Sequence, residues 1–429
     1  MYGGRVGAIA ISGLCLAAQW LAAAPAPVLA QTAADSPRAP ESRIEARGLW
    51  ATRWEIATPA GVDIAVSAAR LLGMNMLILQ VVAEGEAYYD SDVLPRAASL
   101  PPGFDPLAYA IERADSAGIE VHAWINVFSA GSMRSLSPDP AHPLRVHPEW
   151  VTADRWGRLL WNPAAYAAPE AAALPGLMFD PALDAVHDFI LRIVTELLDR
   201  YDLEGIHLDY VRYPSPAYGY HPTARFHFWS RYGEDPVLFE SDPNAFRREH
   251  GPASYDALHG AWLAWRRDRV TSLVRRIHAT LKAEKPWVSL SAAVFADAAV
   301  AFNDKLQDWH RWLAEGLVDF VAPMAYSVET PQVRHWAEQA VQASAGRHVY
   351  VGLAAYQLAG DPAALVEQIK AVRRAGADGV LLFSSRSLTD RLPTLRALIA
   401  DPFRAPATMP PMPWKCPAEV PCSSSPIAL

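Results

Sequence analysis

The segment EGIHLDYVRYP, residues 204–214, has the alternation of a buried β-strand that ends in a carboxylate. Apolar side chains alternate with Gly205, His207 and Asp209, so Asp209 is predicted to emerge at the C-terminal end of the strand, on the face that it shares with His207. In parallel α/β folds, and in barrels above all, ligands bind at the C-terminal ends of the strands. Asp209 is therefore the first candidate for a site residue.

The same strand pattern recurs along the chain, each time followed by a segment with helical periodicity. Strands are predicted at residues 48–54, 75–82, 119–128, 205–211, 287–295, 318–326, 348–355 and 379–384. Helices are predicted at residues 63–72, 105–117, 183–201, 255–284, 306–315, 331–344 and 362–375. Gly73, Gly118, Gly316 and Gly376 stand where such helices should end. Eight strands that alternate with helices predict an α/β fold, a (β/α)8 TIM barrel.

Two connections are too long to be simple turns, and both leave the C-terminal ends of strands. Residues 129–180 follow the third strand and residues 214–254 follow the fourth. These long loops carry many aromatic side chains: Trp150, Trp156, Trp161, Tyr166, Tyr218, Tyr220, Phe226, Phe228, Trp229 and Tyr232. Long loops in compact domains are usually functional or disordered. The aromatic rings either stack on sugars or pin the loops to the barrel, and as a set they favour a cleft.

The first thirty residues differ in composition from the rest of the chain. Residues 1–30 combine Arg5, an apolar run and small residues before Gln31, which predicts a cleavable secretory signal peptide. An uncleaved membrane anchor is the alternative, because the apolar run is at the short edge of membrane-spanning length. The protein is expected to be exported, to the periplasm or to the extracellular space.

The other segments follow from composition. Residues 31–46 are predicted to be a linker, residues 47–404 the barrel, and residues 405–429 a proline-rich tail. Cys416 and Cys422 lie close together in that tail, and in an exported protein the pair is expected to form a disulfide.

Charge and motif content exclude several classes of function. The net charge is -8, and the basic residues are spread along the chain, which argues against binding of nucleic acid. The sequence has no HExxH zinc motif, no GxSxG nucleophile elbow and no phosphate-binding glycine loop. We therefore expect no metal and no cofactor, and a neutral or weakly charged substrate. The oligomeric state stays open.

If the strands have this register, polar side chains from all of them converge at the barrel mouth. Glycoside hydrolysis requires one carboxyl group that protonates the leaving oxygen and another that stabilises or attacks the anomeric carbon. We predict Asp209 and Asp297, on neighbouring strand ends, as the catalytic pair. The predicted substrate-binding residues are Arg53, Gln80, His122, Asn126, Trp161, His207, Arg212, Tyr326 and Gln357.

These assignments have alternatives. Either aspartate can be a helix N-cap, and Asp209 can simply pair with Arg212. Both predicted barrel histidines can be hydrogen-bonded groups of the core. Other candidates for the second acid are Glu55, Glu84 and Glu86.

Several of these motifs resemble glycosyl-hydrolase-like family 10, a set of exported bacterial barrel proteins. The matching stretches are RGLW at 47–50, FDPL at 104–107, HAWIN at 122–126, HPEW at 147–150, GIHLDY at 205–210, RYP at 212–214, LSAA at 290–293 before Asp297, QDW at 307–309 and APMAY at 322–326. The resemblance implies a TIM-type barrel and glycan hydrolysis in the cell envelope, some members being similar to enzymes that act on peptide-stripped peptidoglycan strands. Relatives often have RGRGD after the second strand, where this chain has VAEGE at 82–86.

A more distant likeness is to family 18 chitinases, whose fourth strand reads like DGxDxDxE. Residues 205–209 follow that pattern, and Met324-Ala325-Tyr326 resembles the chitinase M-x-Y of the sixth strand. The likeness implies a substrate N-acetyl group that acts as nucleophile beside an aspartate and a tyrosine. Val211 stands where the chitinase acid would be, so a general acid must come from elsewhere or be missing.

The sequence thus predicts an exported glycoside hydrolase for an N-acetylhexosamine-containing polysaccharide. Peptidoglycan glycan is the leading substrate, which would bring the protein to the cell wall. The missing acid at position 211 motivates the alternative of a non-catalytic glycan-binding barrel. A hydrolase for another surface glycan, such as an exopolysaccharide, is the third hypothesis.

Overall fold

Eight parallel strands close into a barrel in the computed structural model, which describes residues 42–132, 136–166, 171, 174–358 and 360–415. The strands are β1 (Ala46–Ala51), β2 (Met76–Ala83), β3 (Glu120–Asn126), β4 (Gly205–Asp209), β5 (Ser289–Phe295), β6 (Phe320–Met324), β7 (His348–Ala354) and β8 (Gly379–Phe383). The sheet closes because β1 pairs in parallel with both β8 and β2. Each predicted strand overlaps an observed one, and the predicted (β/α)8 fold is confirmed.

One principal helix follows each strand. These helices are α1 (Pro59–Leu71), α2 (Pro106–Asp115), α3 (Asp184–Arg200), α4 (Pro252–Glu284), α5 (Trp309–Ala314), α6 (Thr330–Gln342), α7 (Pro362–Arg374) and α8 (Leu392–Ala400). No predicted helix corresponds to α8. Within the described residues, no helix is both long and apolar enough to cross a membrane.

Local sequence fixes where several of these helices begin. Thr58, Asp105 and Asp361 each accept a hydrogen bond from a backbone N–H of the first helical turn, and proline occupies the first turn of α1, α2 and α7. The four glycines predicted to end helices have φ angles between 61° and 83°. That left-handed conformation suits glycine at a helix C-terminus, so this prediction is confirmed.

The long connections after β3 and β4 contain secondary structure of their own. In its described residues, the first contains a strand pair (Ser129–Gly131 with Leu177–Met178), two short α-helices (Pro143–Val146 and Pro163–Tyr166) and a 3-10 turn (Pro148–Trp150). The second contains the helices Pro222–Tyr232, Pro236–Glu240 and Pro243–His250. Of the aromatic residues named above in the second connection, Tyr218, Tyr220 and Phe228 are buried, whereas Phe226, Trp229 and Tyr232 are exposed. Tyr220 and Phe228 pack with Phe239 and with Trp262 of α4 in a separate hydrophobic cluster.

The described ends of the chain meet at the N-terminal side of the barrel. Arg43–Ile44 pairs in parallel with Ala407–Thr408. Next to this pair, the buried Glu45 accepts hydrogen bonds from Arg47 at 2.8 Å and from Arg373 at 2.6 Å and 2.8 Å. Residues assigned by sequence to the linker and to the tail therefore pack on the barrel base. The predicted signal peptide and the predicted disulfide cysteines lie outside the described residues.

Candidate functional site

A cleft of about 320 Å³ opens at the C-terminal ends of the strands. Its lining side chains come from the ends of β1 to β4, β6 and β8. They are Thr52, Arg53, Trp54, Gln80, Glu84, Trp124, Asn126, Ser129, Pro175, Asp209, Tyr210, Arg212, Met324, Tyr326 and Phe383. Among these described lining residues, Asp209 and Glu84 are the two carboxylates. The cleft thus combines five of the predicted substrate-binding residues with one of the two predicted catalytic residues.

Asp209 is the last residue of β4 and lies directly opposite Asn126 of β3 in the sheet register. Its Oδ1 accepts a hydrogen bond from the backbone N–H of Tyr210 at 2.6 Å and another from Arg212 Nη1 at 2.8 Å. The side chains of Asp209 and Arg212 are each 11% exposed. Both of these donors bind the same oxygen, so among the described residues Oδ2 keeps its lone pairs for a ligand in the cleft.

Glu84 reaches the same cleft from the end of β2. Its backbone has a φ of 53°, and the ring Nε2 of His142 lies 2.9 Å from its carbonyl oxygen. Its carboxylate accepts a hydrogen bond from Arg53 Nη2 at 2.8 Å, and the backbone N–H of Arg53 donates in turn to Gln80 Oε1 at 3.0 Å. The contacts with His142 and Arg53 therefore hold Glu84 at the barrel mouth, while 40% of its side chain stays exposed.

Asp297, the other predicted catalytic residue, has a different position. It is the N-cap of the helix Ala298–Asn303, and its Oδ1 accepts hydrogen bonds at 3.0 Å from the backbone N–H groups of Ala299 and Val300. Asp297 is not among the residues that line the cleft with Asp209. The structure therefore realises the capping alternative and does not bring the predicted pair together in this cleft.

Tyr326 and Asn126 present hydrogen-bond donors to the cleft. Burial and the charge of Asp209 raise the pKa of Tyr326 well above its usual value, so its hydroxyl stays protonated and can donate. Trp124 Nε1 donates to Asn126 Oδ1 at 2.8 Å, which fixes the side-chain amide and leaves its NH2 group to donate elsewhere. These two residues are suited to bind carbonyl or hydroxyl oxygens of a ligand.

The predicted substrate-binding residues His207 and His122 lie inside the barrel, below the cleft. Trp50 Nε1 donates to His207 Nε2 at 3.3 Å, and His207 Nδ1 lies 2.8 Å from Ser291 Oγ. Burial, with the neighbouring His122 adding to it, lowers the pKa of His207 to about 3. Accepting from Trp50 at Nε2 requires a neutral ring that carries its proton on Nδ1.

His122 is fully buried, with its Nε2 3.2 Å from Glu120 Oε2. The close packing of this ring depends on Gly205, because a Cβ atom at that position would lie 2.0 Å from His122 Nδ1. Neither histidine lines the cleft, so the prediction that they bind substrate is not supported by their positions, and the core alternative describes them.

Two further predicted substrate-binding residues do not line the cleft. Trp161 is partly buried, and its Nε1 donates to the carbonyl oxygen of Pro148 at 2.6 Å. Gln357 is exposed and donates from Nε2 to the hydroxyl of Tyr356 at 3.1 Å. Conversely, Trp54 is not among the predicted site residues, although its ring forms part of the cleft wall. Its position three residues after the end of β1 is the signal that could have identified it.

In the described parts of the chain, no group of three or more His, Cys, Asp and Glu side chains is arranged to hold a metal ion. What the cleft does contain is two carboxylates, each paired with an arginine, beside a protonated tyrosine. Such an arrangement can transfer a proton to one oxygen and stabilise positive charge on a neighbouring carbon.

The sequence profile of the family described as Glycosyl hydrolase-like 10 matches residues 45–368. "Glycosyl hydrolase YngK" from Bacillus subtilis (strain 168) is 28% identical over 383 residues, covering 80% of this chain and 66% of that protein. "Glycosyl hydrolase DigH" from Escherichia coli (strain K12) is 25% identical over 329 residues, covering 68% of this chain and 64% of that protein. The chain thus spans about two thirds of the length of these relatives.

Solved structures show the same fold at lower sequence identity. The PgaB (BpsB) glycoside hydrolase domain from Bordetella bronchiseptica superposes with a TM-score of 0.60 at 17% identity, covering 82% of this chain and 98% of that domain. The catalytic domain of β-amylase from Paenibacillus polymyxa has a TM-score of 0.54 at 14% identity, covering 84% and 99% of the two chains. At these identities the likeness concerns the fold alone.

Proposed function

The chain belongs to the glycosyl hydrolase-like 10 family, and from that premise we propose that it is an exported glycoside hydrolase that acts on an N-acetylhexosamine-containing polysaccharide. Peptidoglycan glycan strands are the leading substrate. The observation that carries the proposal is the convergence of Asp209 and Glu84 in one cleft beside the protonated Tyr326. Family membership supports the class of reaction, and the cleft supplies residues that can perform it.

We assign different roles to the two carboxylates. Asp209 has two hydrogen-bond donors on Oδ1, one of them an arginine, and these hold its carboxylate in place. It is therefore suited to stabilise positive charge at the anomeric carbon or to hold the N–H of an acetamido group. Glu84 has one such donor and is more exposed, so it is the better candidate to protonate the leaving oxygen and later to accept a proton from water.

Tyr326 completes this arrangement. Its protonated hydroxyl can donate to the carbonyl oxygen of the same acetamido group that Asp209 holds through the N–H. The carbonyl oxygen would then be oriented for attack on the anomeric carbon. This role agrees with the distant likeness to family 18 chitinases and explains the preference that we propose for N-acetylated sugars.

A glycan-binding barrel without catalysis is the second candidate function, and Val211 favours it. The side chain of Val211 is fully buried in the core, so the position that the chitinase likeness assigns to the acid cannot supply a proton to the cleft. If Glu84 does not act as the acid, the cleft can still bind a sugar through its arginines, amides and aromatic rings.

One experiment separates the two candidates. Purified protein and its variants are incubated with peptide-stripped glycan strands and with an N-acetylglucosamine exopolysaccharide, and new reducing ends are measured together with binding. We expect Asp209→Asn to lower turnover by about a hundredfold or more, the usual contribution of acid–base or charge-stabilising groups. Asp361→Asn, the same chemical change at the N-cap of α7, is the matched control.

Each outcome of this experiment supports one of the two candidate functions. Turnover by the wild type and by Asp361→Asn, but not by Asp209→Asn, supports the hydrolase. Binding by the wild type without any product contradicts the hydrolase and supports the binding barrel. The substrate that yields product decides between peptidoglycan and another surface glycan.

A further inference from the structure

Trp54 forms an exposed aromatic platform at the barrel mouth. It lies in the loop after β1, and 65% of the residue is exposed. The guanidinium carbon of Arg53 lies 3.9 Å from the centroid of its ring, close enough for a cation–π contact. Arg53 is itself held by Glu84 and Gln80. One face of the indole is thus covered by a fixed cation, and the rest of the ring remains open to solvent.

A second cavity of about 390 Å³ lies beside the cleft. Thr52 and Trp54 line both spaces, so the two are neighbours that share a wall. The far side of the second cavity is built from Tyr356, which is 47% exposed, and from polar residues that follow β8, including Arg386 and Asp390. Aromatic rings and hydrogen-bonding groups together are the usual lining of a site that binds an amphipathic ligand.

Glu55 gives this second cavity a fixed wall. One carboxylate oxygen accepts from the hydroxyls of Ser384 and Ser385, at 3.1 Å and 2.7 Å, and from the backbone N–H of Arg386. The other oxygen accepts from the backbone N–H and the hydroxyl of Thr52, at 2.7 Å and 2.6 Å. Glu55 therefore ties the loop after β1 to the loop after β8, and its oxygens are already engaged by protein donors.

We infer that Trp54 lies between two sugar-binding positions, so that consecutive residues of one glycan chain occupy the cleft and the second cavity and the chain stacks on the open face of this indole. The inference rests on the proposed function, and it extends that function from a single sugar to a chain. A pyranose ring has a flat face of C–H groups, which can cover an exposed aromatic ring and remove its apolar surface from water. A chain of sugars is the ligand that can fill two adjoining cavities that share one such ring in their walls.

The size of the effect follows from the area that a sugar would cover. Covering about 60 Å² of apolar indole surface corresponds to about a tenfold change in affinity. Trp54→Ala should therefore raise both the Kd and the KM for long oligosaccharides about tenfold. A disaccharide that fits within the cleft should be affected much less. Trp54→Phe keeps an aromatic face and should recover part of the loss.

The test uses β-1,4-linked N-acetylglucosamine oligosaccharides of two to six residues, with binding measured by calorimetry and product measured as new reducing ends. Trp287→Ala is the matched control, because Trp287 is 62% exposed but lies two residues before the start of β5, at the opposite end of the barrel. The control should behave like the wild type at every chain length.

Each outcome has a distinct meaning. A loss that grows with chain length in Trp54→Ala and not in Trp287→Ala supports the platform. Equal affinity of the wild type and Trp54→Ala for every length overturns the platform, while cleavage by both leaves the hydrolase standing. Binding that depends on Trp54 without product supports the platform and contradicts the hydrolase. A wild type that binds none of these oligosaccharides and none of the glycans above overturns both.

Discussion

The buried imidazole of His207 should make the barrel lose stability in mild acid. Its neighbours are Trp50, which donates to Nε2, and Ser291, which faces Nδ1, and neither of them compensates a positive charge. Burial lowers the pKa of His207 from its ordinary 6.5 to about 3. The unfolded chain therefore binds a proton below pH 6.5 that the folded chain does not bind, so the free energy of unfolding must fall as the pH decreases.

The magnitude follows from the pKa difference. Each unit between the two pKa values corresponds to about 1.4 kcal/mol, so this one histidine should cost about 3 kcal/mol between pH 7 and pH 4.5. The loss should continue down to about pH 3, where the folded state also takes up the proton. This cost is additional to that of other groups that titrate in the same range, and a variant that lacks the imidazole isolates it.

His207→Gln is the informative variant, because its side-chain amide can still accept from Trp50 and donate to Ser291 but does not titrate. Urea unfolding of the wild type and of His207→Gln is measured between pH 7 and pH 4.5. The wild type should lose about 3 kcal/mol more than the variant over this range. His227→Gln, a change at an exposed histidine of the helix Pro222–Tyr232, should retain the wild-type dependence on pH.

Parallel curves for the wild type and His207→Gln would refute this reasoning. So would a nitrogen NMR spectrum that shows the His207 ring of the folded protein already doubly protonated at pH 5. Either result would mean that the barrel interior tolerates the charge, through water or through movement of a neighbouring side chain.

Three further predictions concern carboxylates with different environments. Asp297→Ala should cost about 1 kcal/mol of stability, measured by urea unfolding, because it removes the cap of the helix Ala298–Asn303. Glu84→Gln should lower turnover of the glycan that is cleaved, measured as new reducing ends. Loss of turnover in Asp297→Ala but not in Glu84→Gln would instead support Asp297 as the catalytic partner of Asp209. Glu45→Ala should cost about 3 to 5 kcal/mol, because it leaves the fully buried Arg47 without its ion-pair partner. The control Glu367→Ala removes a carboxylate that is 54% exposed and should change stability by less than about 1 kcal/mol, so equal losses in the two variants would contradict a structural role for the Glu45 network.

The barrel could be predicted because its signals are local. Alternation of apolar side chains marks a strand wherever the chain is extended, and a glycine such as Gly73 marks a helix end because few other residues adopt its left-handed backbone. The position of Asp209 follows from the same alternation. These signals need no knowledge of which segments meet in space.

The rest of the site depends on tertiary contacts that a single sequence does not encode locally. An aspartate that precedes a helix, such as Asp297, fits both a capping role and a place at a strand end, and only the fold distinguishes them. Tyr220 and Phe228 fit equally well a sugar platform or a hydrophobic cluster, and they belong to the cluster because α4 packs over them. Trp54 is the last residue of the first predicted strand, residues 48–54, and only the fold shows that a ring at this strand end forms part of the cleft wall.

Backbone geometry explains why the second carboxylate comes from β2 and not from position 211. Tyr210, directly after Asp209, has a φ of 51°, which breaks the alternation of the strand and lets Val211 turn into the core. A side chain two residues after Asp209 therefore does not emerge on the same face, as it would in a continuing strand.

Glu84, with a φ of 53°, is in the same left-handed region at the end of β2. Such a conformation costs a non-glycine residue of the order of 1 to 3 kcal/mol and persists where the surrounding structure enforces it. At Tyr210 it accompanies the hydrogen bond to Asp209, and at Glu84 it occurs in a carboxylate residue that lines the same cleft. The acid that is absent from the fourth strand is thus best sought at Glu84.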